Sequence, residues 1–348
     1  MSEVAQRGRL GAILAMLMLL ASCGSATDPS DSNGSASPGP TSVAGIDPSA
    51  LAVTVASYDI AQGAPRRFLA GVETSDRRLV TFATVDMKFA FAGTGKGEAS
   101  GPELRTTGRY LPVAGSDVPE PPPIKPRIVT ASQSRGVYAT MVGFDRPGFW
   151  EVEVTADLDG KLRRGTGAFQ VLESARLPDV GDAALATENL TISSSDAPPA
   201  AVDSRAAGDP DGTVPNPEIH STTIAAALAA KRPVLAVFAT PVYCTSRFCG
   251  PVTDLVAELA RDYSDRAAFV HVEIWRNFQD KVINKAAAEW LLRDGNLTEP
   301  WIYLIGADGR IQARFDNVAN RSELEPLLAA LPTLAAMPIS AAPSVGKA

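Results

Sequence analysis

AVFATPVYCTSRFCGP, residues 236–251, is the stretch that decides the fold. It begins inside an apolar run, residues 233–238, which is typical of a central strand covered on both faces. Cys244 and Cys249 follow this run, and apolar residues then recur at helical spacing over residues 252–259. A strand, a close cysteine pair and a helix therefore stand in direct succession, and the pair carries the most reactive side chains of the stretch.

The segments on either side of this stretch extend it into an α/β pattern. Ser221 and the threonines after it can cap an alanine-rich helix, and Asp308 with Gly309 forms a hairpin turn between two apolar runs. The predicted order is helix, strand, cysteine loop, helix, strand, helix, strand, strand, helix. The flanking elements are predicted as helices at 224–230, 286–292 and 322–331, and as strands at 268–275, 301–305 and 311–315.

This order resembles a thioredoxin-fold domain, which we expect over residues 218–333. The landmarks are the cysteine that follows a strand, the Gly250 and Pro251 pair, and Pro300 just before the next-to-last strand. The resemblance implies thiol–disulfide chemistry at the cysteines. It also implies a cis bond between Glu299 and Pro300, with Pro300 facing the cysteine pair.

The cysteine motif departs from the family because four residues separate the cysteines where thioredoxins have two. In one alignment Cys244 attacks and Cys249 resolves, with the extra residues expanding the loop. In the other, Phe248 and Cys249 match the start of the family motif, so Cys249 attacks and Val252 stands where the resolver would be. We prefer the first alignment, because the following helix then aligns without a gap.

A cysteine at a helix N-terminus with Arg247 nearby is placed to favour its thiolate, which is the attacking species in disulfide exchange. The predicted catalytic residues are Cys244, Cys249, Arg247 and Pro300, with no cofactor and no resident metal. Two alternatives remain open. The pair can be a structural disulfide in a binding module, or it can handle copper as in Sco-type chaperones, with His271 as the third ligand.

The N-terminal half of the chain carries strand patterns and little helical periodicity. Residues 149–156 alternate between apolar and polar side chains, and Asp159 with Gly160 predicts a hairpin turn. Residues 79–85 also predict one strand. We therefore expect an antiparallel β-sandwich over residues 49–173. The pattern at residues 145–152 resembles immunoglobulin-like modules of bacterial envelope proteins, which implies a spacer or docking role.

The first residues predict export and anchoring. Arg7 and Arg9 precede an apolar core at residues 10–20, and the string Leu-Ala-Ser-Cys-Gly that ends at Gly24 resembles the lipobox of bacterial lipoproteins. This resemblance implies a signal peptide over residues 1–23, a lipidated Cys23 and a location on the extracytoplasmic face of the cell membrane. Polar, proline-rich composition predicts a flexible tether at 24–48, a linker at 174–217 and a disordered tail at 334–348.

Composition limits the remaining function classes. The chain has 348 residues with a formal net charge of −7, which argues against a nucleic-acid partner. It has 2 histidines, so a serine hydrolase would have to be built around His220 or His271, and neither stands near a nucleophile motif. The partners expected from the cysteine pair and the anchor are membrane lipid, through Cys23, and envelope proteins that carry thiols or disulfides.

Overall fold

The computed structural model describes residues 50–95, 103–116, 118–119 and 122–334. These residues form three β-sheets with a few helices. The predicted signal peptide, the lipobox at Cys23, the tether and residues 335–348 of the predicted tail lie outside the described residues. None of the helices in the described part of the chain has the length and apolar character needed to cross a membrane.

Nine antiparallel strands form the first sheet, which confirms the all-β prediction for this half of the chain. The hydrogen-bonded order is β6-β3-β2-β7-β5-β4-β8-β9, and β1 pairs with β2. The strands are β1 Leu51–Val55, β2 Arg66–Thr74, β3 Leu79–Thr81, β4 Thr84–Gly93, β5 Leu104–Pro112, β6 Arg127–Val129, β7 Gly136–Val142, β8 Gly148–Leu158 and β9 Lys161–Val171.

The core of this sheet follows the alternation read from the sequence. In β8, Trp150, Val152 and Val154 are fully buried, and Trp150 packs edge-to-face on Phe144 with ring centroids 5.0 Å apart. The predicted turn between β8 and β9 is present, with φ of 57° at Asp159. The buried face of the sheet therefore comes from a period-2 pattern.

Hydrogen bonds join the nine strands of this half into one continuous set. A side chain at Gly165 of β9 would collide with Leu51 of β1, so the first strand lies directly on the last. The single strand expected over residues 79–85 is wrong, because Phe82 adopts φ of 55° and packs on Tyr110, which separates β3 from β4.

The second sheet has four strands in the order β11-β10-β14-β15, with β10 parallel to β11 and antiparallel to β14. A short hairpin, β12 with β13, forms the third sheet. The elements are α1 Ile224–Ala229, β10 Val234–Ala239, α2 Cys249–Tyr263, β11 Ala268–Glu273, β12 Trp275–Asn277, β13 Val282–Ile283, α3 Lys285–Leu291, β14 Trp301–Ile305, β15 Ile311–Asp316 and α4 Arg321–Ala330.

Helices cover both faces of the four-stranded sheet. Along β10, Leu235 and Val237 pack with α2 and α4, while Ala236 and Phe238 pack with α1 and α3. Every residue of β10 is buried, as the continuous apolar run predicted. Strand β10 is therefore covered by helices on both faces, and the cysteine loop begins at the C-terminal end of this strand.

The segment at 174–217 packs closely against the α/β part. Thr187 accepts a hydrogen bond from the indole N–H of Trp290 at 2.9 Å, and the side chain of Asn189 accepts one from the backbone N–H of Ile224 at 2.9 Å. Asp203 is fully buried. Hydrogen bonds of polar side chains hold this segment in place. Such contacts leave no apolar periodicity in the sequence, so they could not be predicted from it.

The described residues belong to one compact unit. Arg67 of β2 donates to the carboxylate of Glu323 at 2.8 Å and to Asp316 at 3.5 Å. Arg314 of β15 pairs with Asp59 at 2.9 Å. The β part and the α/β part therefore share a buried, charged interface.

Candidate functional site

Cys244 and Cys249 form a disulfide, with their α-carbons 6.0 Å apart. The loop that carries them leaves the end of β10 and leads into α2. Cys249 is the first residue of α2 and is fully buried, whereas Cys244 is partly exposed. The two sulfurs therefore differ in access, and Cys244 is the one that a partner can reach.

Ser246 adds a polar contact that the sequence reading missed. Its hydroxyl lies 3.2 Å from the sulfur of Cys244 and accepts a hydrogen bond from the backbone N–H of Phe248 at 3.4 Å. After reduction the same hydroxyl can donate to a thiolate at Cys244, and such a bond favours the charged form. Ser246, one of the four residues between the cysteines, is therefore placed to stabilise a thiolate at Cys244.

Two other intervening residues fix the loop to the β part. Phe248 packs against a cluster that includes Leu69 and Val113. Arg247 has φ of 62°, and its carbonyl accepts a hydrogen bond from the guanidinium of Arg135 at 3.3 Å. The side chain of Arg247 is exposed. Among the described residues, the contact that Arg247 makes is through its backbone carbonyl, which anchors the loop to the β part.

Glu299 lies beside the cysteines, next to Pro300. The bond between these two residues is cis, as expected. A carboxylate oxygen of Glu299 and the sulfurs of Cys244 and Cys249 all lie within 4.8 Å of one another. The Oε2 atom of Glu299 is buried and has no hydrogen-bond partner in the part of the chain that the structure describes. Burial raises the pKa of Glu299 to about 8, and repulsion from Glu273 adds to the rise.

Glu273 is a second buried carboxyl in this region, at the end of β11. It accepts hydrogen bonds from the backbone N–H of Ser204 at 2.8 Å and of Trp275 at 3.2 Å. Burial raises its pKa to about 7 despite these bonds. Repulsion from Glu273 adds to the effect of burial on Glu299, so the charged form of the carboxyl beside the cysteines is disfavoured.

The two histidines lie in contact with each other. Nε2 of His220 is 2.7 Å from Nδ1 of His271, and the outer nitrogen of His271 is 3.1 Å from the carbonyl oxygen of Ala239. Both rings are fully buried, and Asp203 lies 3.4 Å from His220. The structure thus groups His271 with His220 and Asp203 and not with the cysteines, so the copper site with His271 as third ligand is not assembled.

We expect the wild-type protein to lose stability as pH falls below about 6.5, and a His271→Gln variant to lose less. Burial lowers the pKa of His271 to about 3, against the attraction of Asp203. Between pH 6.5 and pH 3 the unfolded chain therefore binds a proton at His271 that the folded chain does not bind. The free energy of unfolding is highest above pH 6.5 in this respect, and it falls as the pH is lowered toward 3.

One such proton changes the free energy of unfolding by up to about 1.4 kcal/mol per pH unit. Urea unfolding between pH 7 and pH 4 measures how the free energy of unfolding depends on pH in the wild-type protein and in His271→Gln. The carboxyl groups are common to both proteins, so the difference between the two slopes reports on His271. A wild-type slope flatter than that of His271→Gln would contradict the expectation and mean that the two rings share a proton in the folded protein.

An aromatic cluster includes Tyr243, the residue that directly precedes Cys244. Tyr243 stacks on Phe278 with ring centroids 3.9 Å apart, and the ammonium of Lys281 lies 3.6 Å from the centre of the Phe278 ring. Trp275 meets Phe278 edge-to-face at 5.4 Å. Tyr243, Trp275 and Phe278 are each partly exposed, so a partly apolar surface is joined to Cys244 through the neighbouring Tyr243.

A cavity of about 680 Å³ lies between the β part and the α/β part. Neither cysteine lines it. Its arginines are already paired with carboxylates, as in the contact of Arg66 with Asp179. The described lining includes the hydroxyls of Ser57 and Thr140 but no cysteine or histidine, and we therefore place the candidate site at the cysteine pair.

No protein-family model matches the chain, and no curated protein matches it. Among solved structures, the PKD domain of the human VPS10 domain-containing receptor SorCS2 is similar to part of the chain, with 13% sequence identity. The match covers 43% of this chain and 95% of that domain, with a TM-score of 0.17. A TM-score of this size assigns no fold, so the functional conclusions below rest on the geometry of the cysteine site.

Proposed function

We propose that this protein exchanges disulfides with envelope proteins outside the cytoplasm. The observation that supports it is the unequal access of the two sulfurs, because Cys244 is partly exposed and Cys249 is buried at the start of α2. Exchange needs one thiol that a partner can reach and a second, protected thiol that resolves the mixed disulfide. A disulfide with only a structural use requires no such difference.

In the reducing direction, the thiolate of Cys244 attacks one sulfur of a partner disulfide, and the other partner sulfur leaves as a thiolate. The thiolate of Cys249 then attacks the sulfur of Cys244 and closes the intramolecular disulfide, which releases the second partner thiolate. The N-terminus of α2 and the hydroxyl of Ser246 favour the thiolate forms. We propose that Pro300 shapes the groove for the partner chain.

The finer fold assignments belong to this proposal. A thioredoxin-like α/β domain at 218–333 is supported by the strand order of the second sheet, with helices on both faces and the cysteines after β10. An immunoglobulin-like module is proposed for residues 49–173. We propose that Cys23 carries the lipid anchor, so that the β part separates the cysteine site from the membrane.

A non-catalytic binding module is the second candidate. The anchoring of the cysteine loop through Phe248 and through the carbonyl of Arg247 favours it, because both contacts hold the loop against the β part. A loop held in this way can present the aromatic surface beside Cys244 to a partner without any exchange of disulfides.

Equilibration with glutathione separates the two candidates. A full-length Cys23→Ser chain keeps only the cysteine pair, and we expect its oxidised and reduced forms to interconvert as the ratio of reduced to oxidised glutathione is varied. Thiol alkylation followed by mass spectrometry counts the two forms. A disulfide that persists in a large excess of reduced glutathione would favour the binding module.

A further inference from the structure

Three potential ligand atoms meet at the cysteine site. The sulfurs of Cys244 and Cys249 and a carboxylate oxygen of Glu299 all lie within 4.8 Å of one another. Donors bound to one tetrahedral zinc ion at about 2.0–2.3 Å are separated by roughly 3.3–3.8 Å. Reduction removes the bond between the sulfurs and lets them move apart, so small side-chain shifts bring the three atoms to this spacing.

Glu299 supplies an independent sign of a ligand. Its Oε2 atom is buried and has no hydrogen-bond partner among the described residues, which is a costly state for a carboxyl oxygen. The sulfurs are near this carboxyl group, but a disulfide has no proton to donate to it. A cation held between the thiolates and the carboxylate would supply the missing partner.

The donor set discriminates between metals. Thiolates alone suit Cu(I), whereas a carboxylate is a hard ligand that Cu(I) does not favour. Zn²⁺ accepts both cysteine sulfur and glutamate oxygen, and a site with three protein ligands leaves its fourth position open to water. Partial exposure of Cys244 gives that position a path to solvent. The set therefore fits zinc better than copper.

We propose that the reduced protein binds one Zn²⁺ through Cys244, Cys249 and Glu299. Binding releases the protons of the two thiols and any proton on the Glu299 carboxyl. Zinc and the disulfide exclude each other, because the disulfide leaves no thiolate to bind the ion. Reduction of the disulfide takes two electrons, which a phosphine can supply. The phosphine, the disulfide and one water molecule react to give a phosphine oxide and two thiols. The proposal goes beyond disulfide exchange and needs only that the pair can be reduced.

Competition with a chromophoric zinc chelator tests the site in the full-length Cys23→Ser chain. We expect one equivalent of Zn²⁺ to bind after reduction by a phosphine and none to bind the oxidised chain. A Glu299→Gln variant should bind at least about tenfold more weakly, because it loses a direct ligand. Glu273→Gln is the matched control, a buried carboxyl outside the donor set. It should bind zinc no more weakly than its parent chain, because removing the charge of Glu273 eases ionisation of Glu299.

Co²⁺ gives a readout that does not depend on any glutamate variant. In the reduced Cys23→Ser chain, Co²⁺ should show thiolate charge-transfer absorption and the visible bands of a four-coordinate ion. Equal zinc affinity in Glu299→Gln and its parent chain would overturn the proposal, and so would a cobalt spectrum without thiolate bands. Zinc binding without glutathione exchange would support the metal site and reject the exchange function, and the converse result would do the reverse.

Discussion

A Cys249→Ser variant is expected to accumulate a stable mixed disulfide with glutathione, whereas a Cys244→Ser variant is not. Cys244 is partly exposed and keeps the hydroxyl of Ser246 beside its sulfur, so it can attack oxidised glutathione. Without Cys249 the mixed disulfide has no internal thiol to resolve it. In Cys244→Ser the remaining thiol is fully buried and reacts slowly.

Both variants should be made in the Cys23→Ser chain, so that the third cysteine cannot react. Intact-mass spectrometry then measures the trapped fraction over time, and we expect initial rates that differ by roughly tenfold or more because access differs. Faster trapping in the chain that carries Cys244→Ser would contradict this order. It would instead favour the alignment in which Cys249 attacks.

Replacing Arg67 with methionine is expected to lower the free energy of unfolding by about 3–5 kcal/mol. Arg67 is largely buried, pairs with Glu323 and Asp316, and donates to the carbonyl oxygen of Val318. Burial raises the pKa of Asp316, and Arg67 acts against that rise. Methionine keeps much of the side-chain volume but removes the cation that the buried Asp316 and the partly exposed Glu323 share.

Arg105→Met is the matched control, because Arg105 pairs with Glu103 on the surface and is 72% exposed. Surface pairs of this kind contribute up to about 1 kcal/mol. Equilibrium urea unfolding of both variants at pH 7 measures the two losses. Equal losses would contradict a buried interface between the β part and the α/β part, because Arg67 would then behave as a surface residue.

Element types were predictable where apolar periodicity is strong. The strand at β14, Trp301–Ile305, begins and ends where the sequence indicated, because five consecutive apolar residues follow a proline. Helix α2 was indicated by residues at helical spacing, several of which are buried. The break at Phe82 was not predictable, since its left-handed backbone depends on packing against Tyr110 from another strand.

The cysteine pair could be found from its spacing, but most of its surroundings could not. Glu299 stands 50 positions from the nearer cysteine, and only the fold brings its carboxyl to the sulfurs. His220 and His271 meet in the same way, across 51 positions. Ser246 was within the quoted motif, yet its contact with Cys244 depends on the turn of the loop. Polar contacts between residues far apart in the sequence produce no local periodicity, so the sequence alone could not predict them.

The reduction potential of the Cys244–Cys249 pair tests the central claim most directly. The full-length Cys23→Ser chain is equilibrated in defined glutathione or dithiothreitol buffers, quenched by alkylation and counted by mass. Disulfide exchange predicts a midpoint within the range of known exchangers, between about −270 and −120 mV. A midpoint below about −300 mV, which is typical of structural disulfides, would contradict the account.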